Sequence, residues 1–269
     1  MYILGDRVKQ DTSKARPYVL WVIVGLCVLV FIVQLILDRF PSGISGVSQG
    51  DYFTYMFGAI PARVANIQVL DLPNFAVPGW VTLFTSMFLH GDFWHILFNM
   101  WTLYVFGDNI EHALGKVGFA LFYIAGGVVA TLVHVVFSLK GPGLLQPTIG
   151  ASGAIAAVMG VYMVLYPRSQ VFVLALWFPI AMPSVVFMGI WFAMQILGVF
   201  NPNSNIAWWA HIGGFIFGVI VGLVVKQFSR KLLNPESWRT RRFLKHEPFG
   251  RNDGRTDETD ENEEDIWRH

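Results

Sequence analysis

Polar and apolar positions along this chain fall in long blocks, and the apolar blocks have the length of membrane spans. The first, Tyr18 to Leu37, is twenty residues with Gln34 as its only strongly polar side chain. At about 1.5 Å per residue it matches a hydrocarbon core of roughly 30 Å. Arg7, Lys9, Lys14 and Arg16 precede it. The run is too long for a signal peptide, and Asp38-Arg39-Phe40-Pro41 offers no small-residue cleavage site, so a retained helix is expected. From Pro41 to Pro78 the pattern is mixed and reads as a long loop with interfacial pieces; Trp80 to Leu89 is apolar again. A second helix is expected from the N-cap Asp92 through about Phe106, reaching toward Ala113. A third covers about Val117 to Leu139 and ends before Gly141-Pro142-Gly143. A fourth runs from about Ile149 to Tyr166 and stops at Pro167, since proline cannot continue a helix ladder. Pro179 and Pro183 divide Val171 to Leu197, so a fifth span is expected after Pro179, with the earlier part irregular or bent. The sixth runs from Ile206 to about Phe228.

Lys226, Arg230, Lys231, Arg239, Arg241, Arg242 and Lys245 lie at or beyond the end of the last span, whereas the loop Asn201 to Asn205 carries no charge. The positive-inside rule then places both termini in the cytoplasm, which requires an even number of spans. The fold expected is an all-α six-transmembrane helix bundle. It divides into a cytoplasmic segment at 1–16, a membrane domain at 17–228 and a charged tail at 229–269. The tail turns from basic to acidic and lacks apolar periodicity, as a disordered segment does.

Even-numbered spans all run from outside to inside, so residues near their starts share one side of the membrane. That parity gathers His95 and Asn99 of span two, Ser152 of span four and His211 of span six, each counted roughly 5–10 Å below its helix start. Polar groups at membrane depth are costly and usually face a bundle interior or a water-filled cavity. His95 and Asn99, four apart, project from one helix face. His211, Gly214, Gly218 and Gly222 form a stripe of small residues, with Ser152, Ala156 and Gly160 as the matching stripe on span four; Gly153 is a further small residue at the contact. Such stripes let helices approach closely. Laid together, they bring the Ser152 hydroxyl to the His211 imidazole, as activation of a nucleophile requires.

Composition agrees with this setting. Apolar residues make up 54% of the 269-residue chain and charged residues 14%, with a formal net charge of +1, so nothing argues for nucleic acid as a partner. The single cysteine, Cys27, cannot form an internal disulfide and reads as a small hydrophobe. No metal or cofactor is expected.

The chain resembles the rhomboid intramembrane serine proteases over essentially all of Tyr18 to Phe228. The likeness rests on His90-Gly91 with His95-Ile96-Leu97-Phe98-Asn99, Gly107-x-x-x-Glu111-x-x-x-Gly115, Gly150-Ala151-Ser152-Gly153-Ala154 and Ala210-His211-x-x-Gly214-x-x-x-Gly218, in family order. It is similar to the bacterial six-span type. The resemblance implies a bacterial plasma membrane, a site open to the extracytoplasmic side and transmembrane proteins as substrates. It further implies Ser152 as nucleophile and His211 as general base, with His95, Asn99 and backbone N–H groups near Ser152 as the oxyanion hole. Several relatives carry an aromatic residue four positions after the serine, stacking on the histidine. This chain has Ala156 there, and what orients His211 is left open. Glu111 is expected to bond donors near Gly107 to Gly115, His134 to bond between helices, and His90 to touch the site from its rim. The divided fifth span and the Phe200 to Asn205 loop are expected to gate substrate entry. A catalytically silent client-binding relative and a small-solute transporter are the alternatives; both Ser152 and His211 are present, and no internal repeat supports transport. Oligomeric state is not legible.

Overall fold

A computed structural model describes residues 2–6, 16–44, 46–68, 76–175, 178–201, 204 and 206–232. The charges Arg7, Lys9 and Lys14, the loop positions 202, 203 and 205, and the tail from 233 lie outside the described residues. In chain order the elements are β1 (Tyr2–Asp6), α1 (Tyr18–Leu37), α2 (Gln49–Phe57), α3 (Pro61–Val64), α4 (Thr82–Thr85), α5 (Phe93–Leu114), α6 (Lys116–Ser138), α7 (Ser152–Leu165), β2 (Gln170–Ala175), β3 (Phe178–Pro183), α8 (Ser184–Gly198) and α9 (Trp208–Leu232). Residues 1–227 form one compact unit; of the second, 228–269, only the end of α9 is described.

The molecule is a mostly helical bundle. Among the described residues, Tyr18–Leu37, Lys116–Ser138 and Trp208–Phe228 are long and apolar enough to cross a membrane, while Ser152–Leu165 and Ser184–Gly198 are shorter apolar helices. α5 is 22 residues long but carries His95, Asn99, Asp108, Asn109 and Glu111. Leu29 and Ile36 of α1, Val117, Leu121 and Val136 of α6, and Ile220 of α9 are each more than half or nearly half exposed on the outside of the bundle. A surface this apolar suits contact with lipid tails.

α7 is the centre. Its ten consecutive residues Gly153 to Tyr162 are all buried, so other elements surround it on every side, as a helix apolar all round requires. It begins at Ser152 and not near Ile149, and its 14 residues span only about 21 Å. Ser152 is therefore the first residue of a short internal helix, and not a residue set below the start of a full-length span.

Small residues let α9 lie directly on α7. A Cβ at Gly214 would run into the Gly153 carbonyl oxygen, one at Gly218 into the Ala157 carbonyl oxygen, and one at Gly222 would stand 2.9 Å from Val164. Gly160 in turn abuts the backbone at Phe215 and Val219. The contacts of these α9 glycines thus fall on Gly153, Ala157, Val161 and Val164, one position on from the expected Ser152 and Ala156; Ala156 is fully buried elsewhere in the core. The one-residue rotation has a reason: backbone-to-backbone approach needs the smallest surface, and Gly153 provides it.

Val171 to Pro179, expected to be irregular or bent, and the residues just after Pro179, expected to open the fifth span, instead lie in a β-hairpin whose β2 pairs on its other edge with β1, giving the order β1-β2-β3. Pro179 and Pro183 are tolerated because β3 is an edge strand. The N-terminal strand, placed by the sequence outside the membrane domain, is tied to it: Asn109 Nδ2 donates to Asp6 Oδ2 at 2.9 Å, and the Tyr162 hydroxyl donates to the same oxygen. α8 follows at Ser184, whose backbone N–H donates to the Ser169 carbonyl at 2.8 Å.

Glu111 joins the same end of the bundle. Its carboxylate accepts from Val19 N–H at 3.1 Å and Leu20 N–H at 2.7 Å, capping α1, whose own N-cap Pro17 makes no side-chain bond. The expected structural role thus has a different partner, the free N–H groups and positive end of another helix instead of the Gly107 to Gly115 segment.

Candidate active site

At the other end, α5, α7, α8 and α9 converge. Asp92 caps α5, its Oδ1 accepting from His95 N–H at 2.9 Å, which sets the first turn and the direction of His95. The chain before α7 is held from two sides: Thr148 pairs with Ala59, and Gly150 N–H donates to the Ser86 carbonyl at 2.9 Å. Gly150 then takes φ +115°, which an L side chain rarely adopts, and the turn delivers Ser152 as the first residue of α7. The first N–H groups of that helix have no intrahelical partner.

Ser152 Oγ lies 2.9 Å from His211 Nε2. On the far side of the imidazole, Nδ1 lies 2.8 Å from Gln195 Oε1 of α8. The rings of Trp191 and Trp208 stand 6.0 Å and 6.2 Å from that of His211, the second nearly perpendicular to it. With Ala156 on the serine helix offering no ring, this chain holds its histidine with an amide from α8 and indoles from α8 and α9.

His95 approaches from α5. A Cβ at Gly150 would stand 2.7 Å from His95 Nε2 and 3.7 Å from Ser152 Oγ, so the imidazole and the hydroxyl border the space that a side chain at 150 would fill. His95 Nδ1 accepts from Gly91 N–H at 3.3 Å, which leaves Nε2 as the protonated nitrogen of a neutral ring. His95 thus presents a donor to the space beside Ser152. Asn99, one turn along α5, is buried, and its Nδ2 has no hydrogen-bond partner among the described residues. A buried NH2 left unpaired costs about 1–3 kcal/mol unless something else uses it.

His90 is buried beside the site, its ring 5.1 Å from that of His95, and its backbone N–H donates to Gln34 Oε1 at 3.1 Å. Gln34 also donates to Thr54 Oγ1 at 3.0 Å, so the one strongly polar residue of α1 joins α2 to the segment before α5. Among the described residues His134 pairs on its own helix and not between helices, its Nε2 lying 3.2 Å from Ser138 Oγ. Sequence reasoning missed Gln195. Its signal was the same as that of Gln34, a single amide in an otherwise apolar helix.

Comparison with known proteins matches residues 78–228 to the Rhomboid domain. The chain is similar to RHOMBOID-like protein 12, mitochondrial, of Arabidopsis thaliana, 35% identical over 54% of this chain and 46% of that one. Rhomboid protein 1, mitochondrial, of Saccharomyces cerevisiae is 30% identical over 59% of this chain and 47% of its own length. "Putative rhomboid protease YdcA" of Bacillus subtilis is 29% identical over 55% of this chain and 68% of its own. The chain therefore spans about half the length of the first two relatives.

Proposed function

Because the chain belongs to the rhomboid family of integral membrane proteins, we propose that it is an intramembrane serine endopeptidase using a Ser152–His211 dyad. The observation that carries this reading is the 2.9 Å contact between Ser152 Oγ and His211 Nε2 inside an apolar helical bundle. Ser152 Oγ attacks the substrate carbonyl carbon as its proton passes to Nε2. The negative charge that develops on the carbonyl oxygen is received by His95 Nε2–H, Asn99 Nδ2 and the free N–H groups at the start of α7, where the helix dipole is positive. A donor of this kind is worth about 2.7–4 kcal/mol toward the transition state. The imidazolium then gives its proton to the leaving amine, and water repeats the sequence on the acyl-enzyme.

The substrate is a membrane protein whose helix opens near the site end, since a helical peptide bond is shielded by its own ladder. Entry lies between α5 and α8. At the sheet end these helices are in contact through Phe106 and Phe187, 6.3 Å between rings, while toward the site α8 leans on α9 through Phe192 and Phe215, 4.7 Å apart. Several relatives carry mitochondrial names, which lends no support to the bacterial plasma membrane expected from the sequence; the proposal keeps a site open to the side opposite the N-terminus.

The test is cleavage of a single-span substrate by purified protein in liposomes. Wild type is expected to cleave and Ser152→Ala and His211→Ala to be inactive; equal cleavage by wild type and Ser152→Ala would sink the assignment. Binding of the substrate without cleavage would identify a silent client-binding relative.

A further inference from the structure

Gln195 belongs neither to the dyad nor to the oxyanion site, yet its hydrogen bonds decide where His211 carries its proton. Resting on the endopeptidase reading above, we infer that Gln195 is a positioning residue whose side-chain carbonyl holds the His211 hydrogen on Nδ1, leaving Nε2 bare toward Ser152.

An amide has an NH2 end and a carbonyl end, and the pattern of partners tells which is which. The Trp191 carbonyl, one turn earlier on α8, can only accept, and Gln195 Nε2 donates to it at 2.9 Å. The end left facing His211 Nδ1, 2.8 Å away, is the carbonyl oxygen, which can only accept. Two acceptors at that distance would repel, so Nδ1 carries the hydrogen. In a neutral imidazole the other nitrogen is then unprotonated, and that nitrogen is the one 2.9 Å from Ser152 Oγ. With the opposite tautomer an N–H would point at the hydroxyl, and the serine would have no base.

Burial makes the arrangement firm. Gln195 is only 4% exposed, and both ends of its amide are used, as a buried polar group requires. As the serine proton reaches Nε2 the ring becomes cationic, and the bond to the Gln195 carbonyl becomes charge-assisted, so it strengthens toward the transition state. A carboxylate would do the same more strongly, as in soluble triads, but an ionised group inside an apolar bundle is costly. The amide orients without a buried charge. Ser152 is on α7 and His211 on α9, so the base depends on a third helix, α8, that itself carries no reacting group.

The test compares wild type, Gln195→Met and Gln195→Glu on the single-span substrate in detergent. Methionine has the length of glutamine and no carbonyl; kcat is expected to fall roughly 10- to 100-fold, the size of one charge-assisted hydrogen bond, with KM little changed. Protonated glutamate can donate to the Trp191 carbonyl and accept from Nδ1, so Gln195→Glu is expected to recover most of kcat. The ¹⁵N resonances of His211, identified by their loss in His211→Ala, are expected to report Nδ1–H in wild type and a tautomer mixture in Gln195→Met. An unimpaired Gln195→Met, a Gln195→Glu no better than Met, or an Nε2–H tautomer in wild type would each overturn the inference, and Ser152-dependent cleavage would leave the endopeptidase reading standing. Cleavage independent of Ser152 would remove that reading itself. Should Gln195→Met not fold, the wild-type tautomer decides alone.

Discussion

Polar groups are buried at both ends of this bundle; Gln34 and Gln195 at the site end have both ends of their amides bonded, but the groups nearest the oxyanion position are treated differently from those at the sheet end. At the sheet end each one named above is answered: Glu111 by two N–H groups of α1, and Asp6 by Asn109 and Tyr162. At the site end Asn99 Nδ2 and both ring nitrogens of His90 have no partner among the described residues, and His95 Nε2 faces the space beside Ser152. Satisfied groups contribute stability, because separating them would leave a charge or a donor stranded. Groups left open contribute little to stability and are free to meet a charge that exists only during reaction. One end holds the fold and the other is prepared for chemistry.

This contrast predicts that variants at the site end change rate with little change in stability, and that variants at the sheet end do the reverse. The largest effect is expected for Ser152→Ala and His211→Ala: complete loss of cleavage and of labelling by a serine-directed fluorophosphonate, with the unfolding transition in detergent nearly unchanged. Next, His95→Ala is expected to lower kcat about 10²–10³-fold, the usual cost of one oxyanion donor. Gly150→Ala should approach the same loss, because its Cβ would meet His95 Nε2 at 2.7 Å; it is the exception at this end that also lowers stability, since the φ of +115° disfavours any side chain. Full activity in Gly150→Ala would break the link between His95 and the reaction. A disulfide joining the site-side halves of α5 and α8 is expected to reduce cleavage of a single-span substrate at least about tenfold while fluorophosphonate labelling of Ser152 persists, as a closed entry with an intact dyad would give. The smallest effect on turnover is expected for Glu111→Gln. It weakens the cap on α1 and should lower stability by about 1–2 kcal/mol, read from thermal or denaturant unfolding, while kcat of the folded protein stays near wild type. A rate loss larger than the stability loss there would erase the distinction between the two ends.

Much of this was legible in the chain. Asp92 before an apolar run marked the start of α5 to the residue, and the boundaries of α1 and α6 lay within one residue of the pattern, because span length is set by membrane thickness and ends by polar or glycine residues. The stretch 170–183 was not legible: an apolar run with two prolines fits a bent helix as well as an edge-paired hairpin, and the choice depends on β1, far away in sequence, being available to pair with β2. The start of α7 was missed for a similar reason, since the backbone bonds that hold Thr148 and Gly150 outside the helix come from Ala59 and Ser86.

The sequence by itself determined the apolar helices and the presence of Ser152, His211, His95 and Asn99 near their ends, since hydropathy is a property of the chain read in order. Only the tertiary structure decided what surrounds each group. The register of α9 on α7, the capping of α1 by Glu111, and the use of Gln195 in place of an aromatic residue at 156 all depend on atoms far apart in sequence coming within about 3 Å, the range over which a hydrogen bond acts.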